Sequence, residues 1–108
     1  MKTFDPDYPL LDEMYRDPYY PDFLVDKIRD KLQKVIVLLE SGATDVATVQ
    51  DALDEAVRGI NGLQEEFDEN GSEIETVARD CIGETAAYIL RWFGIPIDEE
   101  EAIRERDW

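Results

Sequence analysis

Histidine is missing altogether from this 108-residue chain, cysteine occurs once, as Cys81, and lysine and arginine together number 11 against 27 aspartates and glutamates. Without histidine there is no imidazole for a serine or cysteine triad, for a histidine-containing zinc site or for a Glu-x-x-His di-iron site. A single cysteine excludes an internal disulfide framework and suits a reducing compartment. No apolar run approaches the roughly 18 residues of a membrane span. The opening stretch Met1-Lys2-Thr3-Phe4-Asp5-Pro6-Asp7 has neither an apolar leader core nor a twin arginine, so the expected location is cytoplasmic. The shortage of basic residues leaves a formal charge of −16. Such a surface is expected to bind neither nucleic acid nor an anionic membrane directly, and its field favours a cationic protein or plain solubility.

Apolar residues are nevertheless 44% of the chain and aromatics 10%, enough to bury a core within one domain. Four of the five prolines (Pro6, Pro9, Pro18, Pro21) and four of the five tyrosines (Tyr8, Tyr15, Tyr19, Tyr20) fall in residues 1–21. Prolines this dense forbid a long helix, so this segment reads as an arm with a short helix over about Pro9–Arg16, lying on the domain. Leu24, Ile28, Leu32, Val35, Ile36 and Leu39 then recur at helical spacing after Asp22, a plausible N-cap, and Gly42 stops a helix over 22–41. Val46, Val49, Leu53, Ala56, Ile60, Leu63 and Phe67 alternate by three and four, predicting a helix over 45–69 packed antiparallel to the first. Gly59 and Gly62 lie within it, where they either admit another element closely or mark a break. Ser72-x-x-Glu75 has the form of a capping box and opens a predicted helix over 72–93 that Gly94 and Pro96 end; Asp98 with Glu101 signals a short helix over 98–106. The expected fold is therefore all-α: a three- to four-helix up-and-down bundle with an N-terminal Pro/Tyr arm and a short C-terminal helix.

Catalytic groups are scarce. A carboxylate pair can act as acid and base only if burial drives two pKa values apart, and the acids here fall mostly on polar faces, so no enzyme activity and no cofactor are expected. Asp68, Asn70, Ser72 and Thr76 have the spacing of an EF-hand loop, but Glu73 stands at the glycine position and Arg79 at the bidentate glutamate position. The region around Ser72 faintly resembles acyl carrier proteins, yet Gly71 and Glu73 flank the serine where that family has Asp-Ser-Leu. Cys81 lies on the apolar stripe of its helix and reads as a small buried hydrophobe.

The acids are concentrated. Residues 64–84 hold eight of them against Arg79 alone, a balance of −7, whereas residues 22–34 come out at +1. Glu65, Glu66, Asp68, Glu69, Glu73 and Glu75 thus form a candidate surface for a basic protein partner, with Tyr19 and Tyr20 of the arm as amphipathic contact residues. The leading expectation is a non-enzymatic inhibitor or regulator of a basic partner, immunity- or antitoxin-like, or a mimic of nucleic-acid charge. The alternative is a carboxylate-based metal or small-molecule binding protein built within a helical bundle.

The strings Tyr19-Tyr20-Pro21-Asp22-Phe23-Leu24-Val25-Asp26-Lys27, Leu63-Gln64-Glu65-Glu66-Phe67, Ser72-Glu73-Ile74-Glu75-Thr76, Ala78-Arg79-Asp80-Cys81-Ile82 and Arg106-Asp107-Trp108 resemble a domain-of-unknown-function family of small acidic bacterial proteins. The resemblance spans nearly the whole chain and implies a single helical domain of bacterial origin. It carries no activity and no functional residue.

Overall fold

Proline density decides where the first helix can begin. The computed structural model describes residues 2–108, and its first element is a short helix, α1 (Asp12–Arg16), between the prolines. Leu11 and Met14 are buried from this segment, while Asp12 and Arg16 pair across one turn outside. Leu11 enters α1 with a left-handed backbone, φ 58°.

Helix α2 (Asp22–Glu40) buries Leu24, Ile28, Leu32, Val35, Ile36 and Leu39 on one face, as their spacing predicts. Its N-cap is Pro21 rather than Asp22. The Pro21 carbonyl accepts from the Leu24 and Val25 amides at 3.0 and 3.1 Å, and Asp22 occupies the first turn, where its charge still meets the positive end of the helix dipole.

Helix α3 (Val46–Asn61) returns antiparallel to α2, capped by Asp45, whose carboxylate accepts from the Thr48 amide at 3.0 Å. The single helix expected over 45–69 is interrupted. The Gly62 and Leu63 amides close onto the Arg58 and Ile60 carbonyls, and the chain restarts as α4 (Gln64–Glu69), which buries Phe67 completely.

A second departure concerns Ser72. Helix α5 (Thr76–Phe93) begins four residues later than the capping-box pattern implies, with Glu75 as its N-cap, accepting from the Val77 and Ala78 amides. Ser72 and Ile74 are drawn into the interior from an extended link, which leaves no helical turn between Ser72 and Glu75 for a reciprocal box to close. Gly94, left-handed at φ 71°, ends α5. Helix α6 (Glu99–Ala102) is capped by Asp98 and is shorter than the predicted 98–106, because Ile103 turns inward and Arg104 reaches across to α3.

The architecture is an all-α bundle. The α2–α3 pair forms one side, α5 packs against α1, α2 and α6, and α6 touches α3. Both ends are tied down. Lys2 lies over the Trp92 ring, Trp92 donates to the Thr3 carbonyl at 2.9 Å, and Phe4 and Tyr8 join Tyr88, Trp92 and Phe93 in an aromatic cluster on the last turns of α5. At the other end, Asn61 donates to the Glu105 carbonyl at 2.8 Å, Gln64 bonds Asp107, and Trp108 packs against the core. No helix among the described residues is long and apolar enough to cross a membrane.

Candidate functional site

The acidic region folds into a corner made of α4 and the α4–α5 link, and its carboxylates separate into two groups. Glu66 pairs with Lys27 of α2 at 2.7 Å. Glu75 accepts from the Tyr20 hydroxyl while capping α5, and these bonds hold its carboxyl below the ordinary glutamate range near 4.5 despite partial burial. Those two residues bolt the corner to α2 and to the arm. Glu65, Asp68, Glu69 and Glu73 are exposed and make no ion pair among the described residues.

The two arm tyrosines part company in the same way. Tyr19 is 43% exposed and its ring meets that of Tyr20 edge-on at 5.1 Å. Tyr20 is only 2% exposed, and burial with the Glu75 hydrogen bond pushes its hydroxyl pKa well above the usual tyrosine range. Tyr20 and Glu75 are therefore structural here, contrary to the expectation that both face a partner.

Two residues that sequence reasoning passed over complete the surface. Phe23, in the first turn of α2, is 47% exposed beside Lys27, which binds Glu66; Val77, in the first turn of α5, is 48% exposed next to the Glu75 cap. With Tyr19 they are three of the five large hydrophobic side chains left exposed among the described residues, and all three adjoin the acidic corner. Their positions at helix starts, off the apolar stripes, were the available signal.

The remaining chemistry-bearing groups have structural employment. Asp54 is the one buried acid among the described residues. Its burial opposes ionisation, but the two-pronged contact of Arg104 (3.1 and 2.6 Å) and the Gln50 amide at 3.0 Å outweigh it and hold the carboxyl below the usual aspartate range. Cys81 is buried, and burial pushes its thiol up, away from the thiolate. No group of three acidic or cysteine side chains among the described residues is placed to hold a metal ion, and Ser72, one of the EF-hand-spaced positions, points inward.

No curated protein and no solved structure matches the chain. Residues 4–108 match the family of unknown function DUF5713, so the chain, over nearly all its length, belongs to that family.

Proposed function

We propose that this protein is a non-enzymatic, cytoplasmic bacterial binding module that docks a basic protein partner through its acidic corner and inhibits or regulates it, as an immunity protein, an antitoxin or a mimic of nucleic-acid charge would. The observation that carries this reading is the juxtaposition of four uncompensated carboxylates (Glu65, Asp68, Glu69, Glu73) with the exposed Tyr19, Phe23 and Val77 on a corner anchored by Glu66–Lys27 and Glu75–Tyr20. Charge of one sign steers a cationic partner in, and exposed aromatic rings supply the desolvated contacts in which binding energy concentrates. Solubility requires the charge but not the rings.

The test is a pull-down from host lysate at low salt, eluted with a salt gradient, repeated with Glu65, Asp68, Glu69 and Glu73 all changed to lysine. One stoichiometric basic protein, released by salt and lost by the fourfold variant, is the expected result. Capture that survives the charge reversal would sink the assignment. Competition by duplex DNA for the same partner separates a charge mimic from ordinary docking.

A further inference from the structure

The α2–α3 pair is closed on its inner side by the core and open on its outer side, where a groove of about 380 Å³ remains, within the size range of small-molecule sites. Its floor is small because α3 presents Ala52, Ala56 and Gly59 at helical spacing, and its wall is Leu38 of α2. Its rim is cationic. Lys31 and Lys34 line it, and neither makes an ion pair among the described residues, although Lys27 and Arg29 one turn earlier have Glu66 and Asp26 as partners. Glu55, on the α3 side, leaves the groove with a net charge of +1 in a chain of −16.

Lys31 is not simply waving in solvent. A Cβ at Gly59 would stand 2.9 Å from Lys31 Cε, so the missing side chain lets the lysine stem lie across the end of the groove. That places a cation beside an apolar floor, which is a receptor for a molecule with one anionic end and one apolar end. From Lys31 to Leu38 is seven residues, about 10 Å along the helix at roughly 1.5 Å per residue, the span of an extended medium-length alkyl chain.

Charge also decides among occupants. A second copy of this chain would bring −16 against −16, and a basic protein would meet the two lysines at the rim. A small monoanion meets the lysines with little of that repulsion, since fields from the rest of the surface are screened beyond about 8 Å at physiological salt. We propose that the α2–α3 groove binds an amphipathic monocarboxylate, its carboxylate between Lys31 and Lys34 and its hydrocarbon over Leu38, Ala52 and Ala56. This site is separate from the acidic corner and does not depend on the function assigned there.

The test titrates the full chain with decanoate below its micellar range, following backbone amides by NMR, with acetate and decanol as probes of the charge and of the chain alone. Saturable shifts confined to residues 31–38 and 52–59 are expected, with acetate and decanol at least tenfold weaker. K31A/K34A, on the rim, and A52L, at a half-buried position on the floor, are each expected to weaken decanoate at least tenfold while leaving the remaining spectrum in place. Decanol binding as well as decanoate, or indifference to K31A/K34A, overturns the proposal. So does the absence of saturation below about 1 mM. Concentration-dependent shifts of the same residues without any ligand, with a doubled mass in sedimentation, would mean that a second copy occupies the groove, and would overturn it as well.

Discussion

At Leu11 a branched side chain sits on left-handed backbone and is 1% exposed. The strain of that conformation, about 1–2 kcal/mol, is outweighed by burial of the side chain, about 1.5–3 kcal/mol. Two substitutions separate these contributions. Leu11→Ala loses the packing and keeps the strain, and is expected to cost about 2–4 kcal/mol. Leu11→Gly loses the same packing but relieves the strain, so the glycine variant is expected to be about 1 kcal/mol more stable than the alanine variant in urea unfolding, the reverse of the order in a helix interior. Tyr20 makes a second prediction. Its hydroxyl helps hold the Glu75 carboxyl below its ordinary range, so the stability this bond contributes is fully present above about pH 4.5 and is lost as pH falls through the depressed folded pKa. Tyr20→Phe is expected to lower stability by about 1–2 kcal/mol at pH 7. Melting curves of the two proteins should converge as pH drops below 4.5; a gap that stays constant there would show that the hydroxyl contributes independently of the ionisation of Glu75.

The helices differ in how openly they were written. Helix α2 was legible because its apolar residues keep helical spacing between proline and glycine, and Asp98 was legible as a helix start because Glu101, whose amide it reaches, follows three residues on. The break at Gly62 was legible only as one of two alternatives, because Ile60, Leu63 and Phe67 continue the three-four alternation straight across it; tertiary packing shows that Leu63 is half-buried while Phe67 is fully inside. Ser72 misled for a similar reason: capping boxes are recognised from spacing alone, whereas burial of Ser72 and Ile74 is set by what lies above them. The candidate site was legible as a concentration of acids, but not as a sorted surface, since which carboxylates are spent on Lys27 and Tyr20 depends on partners 39 and 55 residues away in sequence. Gly62 itself has ordinary helical backbone, φ −66°, and a Cβ there would find its nearest neighbour at 3.4 Å. The interruption therefore does not require glycine. Gly62→Ala is expected to stabilise the protein by about 0.5 kcal/mol, through the lower entropy of the unfolded chain, read as a higher urea midpoint with an unchanged slope. A lower midpoint would show that the turn into α4 uses the glycine after all.

Over the whole molecule, 27 acidic side chains share a body of about 40 × 27 × 18 Å with 11 basic ones. Several of the ion pairs that exist are local or exposed and contribute little. The folded state therefore carries a self-repulsion that the expanded chain relieves, and screening should favour folding. Raising sodium chloride from 20 to 200 mM at pH 7 is expected to raise Tm by a few degrees, with most of the gain as the Debye length shrinks to roughly 7 Å. A flat response would mean that the acids are already compensated in place. The arm and the C-terminal segment close the bundle from two directions, and each closure involves one of the two tryptophans: Trp92 of α5 beneath Lys2 and Thr3 of the arm, Trp108 of the C-terminal segment against the core beyond Asn61 and Gln64. The protein thus contains its own pair of optical reporters. With Trp108 replaced by phenylalanine, emission follows detachment of the arm; with Trp92 replaced, it follows loosening of the other end, so the sequence in which the bundle opens can be timed by fluorescence without attaching any dye.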